Sequence, residues 1–282
     1  MSAPGHVTVN GQLPVAGVSP YDRGLHFGDG LFETLVCLHG RARFLSLHLE
    51  RLALGCERLR INLRNLTPVR EEIEQVAAST RNALLKLIVT RGDAAARGYG
   101  IAGGEVATRM LFRYPLPPQN ESLVRDGIRV RVAALHYGEN ERLAGLKHLN
   151  RLEQVLARSE VPAEDADELL VFSSAGNLVS GTMSNVFIVN AGRIRTPRVD
   201  RCGVAGVMRR VVLREAQRAG VSVEEAALSA DDLRNAAEVF VTNARIGIWP
   251  VRSVDARAMG VGPVTRQLQA HLAPILEQAA DA

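Results

Sequence analysis

The chain has 282 residues, 46% hydrophobic and 23% charged, which is enough for one large or two medium domains with ordinary globular cores. Its net charge of +4 and pI near 9.3 come from arginines scattered among glutamates, which argues against nucleic acid as a partner and suits small anionic substrates. No apolar run of about 18 residues could span a membrane, the N-terminus lacks the basic and apolar parts of a signal peptide, and Cys37, Cys56 and Cys202 form no C-x-x-C pair, so a cytoplasmic protein without disulfides or a bound metal is expected.

Val7 to Leu13 reads as a short hairpin, because Asn10-Gly11 is a strong two-residue turn signal. Asp22-Arg-Gly-Leu-His-Phe-Gly28-Asp-Gly30-Leu-Phe-Glu33-Thr34 is a glycine-marked loop that runs into an apolar strand. Leu45, Leu49, Leu52, Cys56 and Leu59 recur at helical spacing, with Ser46 as the expected cap and with His48 and Arg51 on another face. A second helix is expected from Pro68 to about Leu84, capped by Thr67. Strands follow at 84–90 and 108–114, flanking a loop that contains Arg97-Gly98-Tyr99-Gly100. Gly98 to Gly103 matches G-x-G-x-x-G formally, but a strand follows where dinucleotide binding requires a helix. Pro115-Leu-Pro-Pro118 breaks helix and strand alike, so the boundary between domains 1–117 and 118–282 is placed there.

The second part opens with an alternating strand, Gly127 to Leu135. Lys147 then precedes a helix whose apolar stripe would be Leu149, Leu152, Val155 and Leu156. A strand meander covers 167–196, turning at Ala191-Gly192. Cys202-Gly203-Val-Ala-Gly206-Val207-Met208 is a glycine-rich loop entering an amphipathic helix, and free N–H groups at such a start favour a phosphate. Glu238 to Ala244 is a buried strand ending in polar residues, and a helix from Gly262 to Gln278 closes the chain. No G-x-S-x-G elbow and no H-E-x-x-H pair is present.

Lysine is scarce: Lys86 and Lys147 are the only two, among 34 basic residues. An amine held between rigid elements can form a Schiff base with an aldehyde cofactor if its surroundings keep its pKa down. Gly145-Leu-Lys-His-Leu-Asn-Arg-Leu-Glu-Gln-Val-Leu156 closely resembles the lysine segment of the aminodeoxychorismate lyases. These belong to the fold-type IV pyridoxal-phosphate enzymes, with the branched-chain and D-amino-acid aminotransferases. The Arg23–Thr34 segment, His48-Leu-Glu-Arg51-Leu and the Gly203–Met208 loop resemble that family too.

The resemblance implies an α/β (α+β) fold of two domains, a smaller N-terminal α/β domain and a larger C-terminal domain with a barrel-like sheet, the latter carrying the Schiff-base lysine. It implies pyridoxal 5'-phosphate as cofactor, held by Lys147, by Arg51 and the backbone of Val207 and Met208 at its phosphate, and by Asn243 and Ala244. Thr34, Arg97 and Tyr99 are implied on the substrate side, and a homodimer is typical. The implied reaction converts 4-amino-4-deoxychorismate to 4-aminobenzoate and pyruvate, with Lys147 catalytic; the alternative is an aminotransferase on the same scaffold. One position departs: relatives commonly place a glutamate before the G-x-x-x-N-x-F run to pair with the cofactor's pyridine nitrogen, and here Ser180 stands there.

Overall fold

The computed structural model describes residues 5–13, 17–94 and 97–278. Part of the N-terminus read above (1–4) and two residues of the Arg97 loop (95 and 96) lie outside them. Contacts divide the chain into two compact units, Met1–Pro117 with Leu146–Asn150 and Glu277–Ala282, and Pro118–Gly145 with Arg151–Leu276.

The first unit contains β1 (His6–Val9), α1 (Arg23–Phe27), β2 (Gly30–Leu38), β3 (Arg41–Ala42), α2 (Leu45–Leu59), α3 (Thr67–Ala78), β4 (Asn82–Thr90) and β5 (Thr108–Tyr114). Its sheet has the order β1-β5-β4-β2-β3 and is antiparallel throughout. Period-two alternation explains the layering: Leu31, Glu33, Leu35 and Cys37 pair with Val89, Leu87, Leu85 and Ala83 in one buried row. The apolar stripes of α2 (Leu45, Leu49, Leu52, Cys56) and α3 (Val69, Ile73, Val76) share a core cluster with that row. Glu33 interrupts it.

Helix boundaries differ from expectation in two places. α2 starts at Leu45 behind Phe44, a left-handed residue (φ 56°) with no side-chain cap bond. Phe44 is buried in the core, so packing sets the entry, and the Ser46 hydroxyl instead accepts from Arg70. α3 stops at Ala78, because β4 needs residues from Asn82 onward to match the nine-residue register of β2.

The second unit contains α4 (Glu121–Asp126), β6 (Ile128–Val132), α5 (Leu152–Ser159), β7 (Glu168–Phe172), β8 (Leu178–Gly181), β9 (Asn185–Asn190), β10 (Arg193–Pro197), α6 (Val207–Arg218), β11 (Val223–Ala226), α7 (Ala230–Arg234), β12 (Glu238–Asn243), β13 (Gly247–Val254), β14 (Arg257–Ala258) and α8 (Pro263–Glu277). Its sheet runs β11-β10-β9-β12-β13-β6-β7-β8, with β14 on β13. β8, at one end of that order, also touches β9 and β10, so the sheet curls into a half-barrel. Val186, Ile188, Val239, Val241 and Trp249 fill one core cluster, and Phe187 and Phe240 stack 4.8 Å apart.

Two expectations are corrected here. α5 begins only at Leu152, and its supposed inner stripe faces out, with Leu152, Val155 and Leu156 at 76, 60 and 56% exposure; Ala157 is the buried residue. The lysine segment, expected within 118–282, packs with the first unit, because its backbone pairs along β2.

Candidate active site

β3 pairs only with Cys37 and Leu38, which leaves the start of β2 an open edge. The lysine segment takes it: Phe32 N–H donates to the Lys147 carbonyl (2.9 Å) and Leu149 N–H to that of Gly30 (3.0 Å). Gly30 must be bare here, since a Cβ would stand 2.4 Å from the Val89 carbonyl oxygen and 2.8 Å from Leu149 Cδ1. Lys147 Nζ lies 4.2 Å from the centre of the Phe32 ring. Lys86, opposite Thr34 in the β2–β4 register, places its Nζ 5.5 Å from the same ring. Both lysines of the chain therefore bring their amines to the Phe32 ring. The sequence reading passed over Lys86, although its scarcity and its place on an alternating strand were signals.

Glu33 is 2% exposed. Its carboxylate accepts from Arg51 Nε (2.8 Å), again from Arg51 Nη2, and bonds His48 Nδ1 (2.6 Å). Burial pushes its carboxyl up, but the Arg51 guanidinium and the His48 bond outweigh burial and hold it at about 2. His48 is shifted down, by burial first and then by the Arg51 and Lys147 charges, against the pull of Glu33. Its Nε2 is buried with no hydrogen-bond partner among the described residues. Arg51, expected at a phosphate, is thus a clamped residue: Glu33 accepts from its Nε and Nη2 and fixes the guanidinium plane. Glu33 was quoted with its motif but given no role.

Arg97 and Tyr99 stand on an exposed loop, and no contact among the described residues joins them to Lys147. The Tyr99 ring lies 5.2 Å from that of Phe27.

In the second unit, the other expected residues meet at one end of β8, β9 and β12. Asn185 Nδ2 donates to the Val204 carbonyl (2.9 Å), Asn243 Nδ2 to the Met183 carbonyl (3.1 Å), and Asn185 pairs with Thr242 in the β9–β12 register. Ala244 follows in the turn, whose Arg245 and Ile246 N–H groups bond Asn243 Oδ1. Gly206 precedes α6 without a side-chain cap bond, so the first N–H groups, those of buried Val207 and Met208 among them, have no acceptor within the helix. A Cβ on Gly206 would stand 2.0 Å from Asn185 Oδ1. Ser180 is buried, and its Oγ donates to the Gly181 carbonyl (2.8 Å). Glu168, unnoticed in the sequence, organises the turn beyond it by accepting from Thr182 Oγ1 (2.5 Å), Ser184 Oγ (2.7 Å) and the N–H groups of Thr182 and Met183.

Within the first unit a lysine amine lies beside an aromatic ring and an arginine is clamped by a buried carboxylate, and within the second a glycine-led helix start lacks a side-chain cap. The chain belongs to the family Amino-transferase class IV, whose model matches residues 30–254, and pyridoxal phosphate is the cofactor of that family. Among similar proteins, an aminodeoxychorismate lyase of Vibrio harveyi is 31% identical over 94% of this chain and 98% of its own. A 4-amino-4-deoxychorismate lyase from Pseudomonas aeruginosa superposes with a TM-score of 0.92 at 41% identity, covering 96% of this chain and 99% of that one. A putative branched-chain-amino-acid aminotransferase of Methanocaldococcus jannaschii is 33% identical over 90% of this chain and 89% of its own.

Proposed function

We propose that this protein is a 4-amino-4-deoxychorismate lyase, releasing 4-aminobenzoate and pyruvate. The observation that carries this is the 41% identity and 0.92 TM-score to the lyase of Pseudomonas aeruginosa over nearly the whole of both chains. The K-H-L-N-R-L-E-Q run around Lys147 supports it.

The residues fit the cofactor. The N–H groups of Val207 and Met208, which follow Gly206 with no side-chain cap, suit a phosphate, as does the guanidinium of Arg51, and Asn243 and Ala244 are further proposed cofactor contacts. Bound there, pyridoxal phosphate supplies a sink for the electrons released at the ring carbon that bears the substrate's amine. Lys147 Nζ would hold the cofactor through its aldehyde carbon. During turnover it accepts the proton from that ring carbon and returns one to the methylene of the departing enolpyruvyl group, which becomes the methyl of pyruvate. Thr34 and Arg97 face the substrate, the guanidinium fork of Arg97 taking a carboxylate. Lys86, whose amine lies beside the same Phe32 ring as that of Lys147, adds a second cation for the dicarboxylic substrate.

The relative from Methanocaldococcus jannaschii, at 33% identity, supports an amino-transfer reading. Measuring kcat/KM with aminodeoxychorismate, against amino transfer from D-alanine or branched-chain amino acids to 2-oxoglutarate, separates the two. A larger value for amino transfer would replace the lyase assignment.

A further inference from the structure

Gly98, Tyr99 and Gly100 lie outside any strand or helix, and their carbonyls turn onto one buried side chain. Arg23 donates from Nη1 to the Gly98 and Gly100 carbonyls and from Nη2 to that of Tyr99, each at 3.2 Å, and its Nε bonds Asp29 at 2.9 Å. Arg23 is itself 4% exposed, whereas Arg97 and Tyr99 are exposed. The Arg23 guanidinium also lies 5.0 Å from the Phe27 ring, against which Tyr99 packs.

Asp29 does not need Arg23 for its charge. Arg91 already bonds both its oxygens, at 2.8 and 3.0 Å, and continues to the Leu59 and Arg60 carbonyls (both 2.6 Å) at the end of α2. One line of charged hydrogen bonds thus runs from the helix that carries His48 and Arg51, through Arg91, Asp29 and Arg23, to the loop that carries Arg97. Five carbonyls absorb the surplus positive charge.

We propose that Arg23 is a positioning residue for substrate recognition: it latches the Gly98–Gly100 backbone so that Arg97 and Tyr99 are presented in a fixed pose. The proposal rests on the reading of Arg97 as the partner of a substrate carboxylate. Ordering such a loop in advance removes part of the entropy that binding would otherwise cost, so the latch acts on substrate affinity and leaves the chemical step alone.

Arg23→Lys is the test, because an ammonium keeps a cation beside Asp29 but cannot bridge three carbonyls and a carboxylate in one plane. The expected result is a KM for aminodeoxychorismate raised about tenfold, as for one charged hydrogen bond lost, with kcat close to wild type and faster trypsin cleavage between Arg97 and Gly98. In an Arg97→Ala background, Arg23→Lys should add no further rise in KM. If Arg97→Ala raises KM while Arg23→Lys leaves KM and cleavage unchanged, the latch is overturned. A fall in kcat or thermal stability with KM unchanged also overturns it, as it makes Arg23 a general support of the fold. If Arg97→Ala leaves KM unchanged, the carboxylate reading of Arg97 fails, and cleavage alone decides: faster cutting in Arg23→Lys sustains the latch, unchanged cutting removes it.

Discussion

Lys147 is held by its backbone on β2 and by its amine on the Phe32 ring, so its position does not depend on the cofactor. Lys147→Ala should abolish both turnover and the visible absorbance of the attached cofactor, because the remaining lysine, Lys86, is anchored on β4 in register with Thr34 and its amine stands farther from the Phe32 ring. Turnover in that variant above about a thousandth of wild type would remove Lys147 from the chemistry. Ser180 is the other informative single residue. Its hydroxyl gives its one proton to the Gly181 carbonyl, and turned toward a ring nitrogen it would still bring no negative charge, so on the proposed lyase reading less charge would be stored in the ring and expulsion of the enolpyruvyl group favoured over the reprotonation that amino transfer requires. Ser180→Glu should move the cofactor's absorbance with amino acids to longer wavelength and bring slow amino transfer. Spectra and side activity identical to wild type would show that Ser180 does not face the ring nitrogen.

At the level of elements, the glycine-led start of α6 makes a sharper demand than its motif suggests. Gly206→Ala would drive a methyl group against Asn185, whose side chain holds the Val204 carbonyl, and overpacking of this kind costs about 1–3 kcal/mol. We expect cofactor affinity to fall at least about tenfold, since the displaced loop carries the N–H groups proposed to hold the phosphate; equilibrium dialysis giving a wild-type Kd would place the phosphate elsewhere. The lysine segment stood out because lysine is scarce in this chain, whereas Arg51, one of many arginines and inside α2, was singled out only through the resemblance. Strand alternation gave β2, β4, β5 and the meander of the second unit. α5 misled because Leu152, Val155 and Leu156 have the spacing of a buried stripe and yet lie outside; periodicity reports a face, and not what covers it. The Lys147–β2 pairing and the Arg23 and Glu168 hydrogen bonds join residues distant in sequence, and nothing local announces them.

For the molecule as a whole, the buried cluster around Glu33 predicts how it responds to acid. The Glu33 carboxyl sits at about 2 in the fold against an ordinary 4.5, so its contribution is present above pH 4.5 and lost as pH falls from there toward 2. The difference corresponds to something on the order of 3 kcal/mol. His48, also shifted down, adds stability that is present above its ordinary 6.5 and declines as pH falls below it. Urea midpoints should therefore begin to drop near pH 6 and fall more steeply below pH 4.5. Glu33→Gln, weaker at neutral pH because Arg51 loses its partner, should lack the lower step; an unchanged acid slope would mean that Glu33 is not paired as described. The proposed lyase reaction is bond cleavage that needs no amino acceptor. The direct measurement is to supply the purified protein, loaded with pyridoxal phosphate, with 4-amino-4-deoxychorismate and no 2-oxo acid, and to follow 4-aminobenzoate fluorescence and pyruvate together. Continuous turnover releasing the two in equal amounts is the predicted result. A protein that forms neither, or that turns over only once 2-oxoglutarate is added, would contradict it.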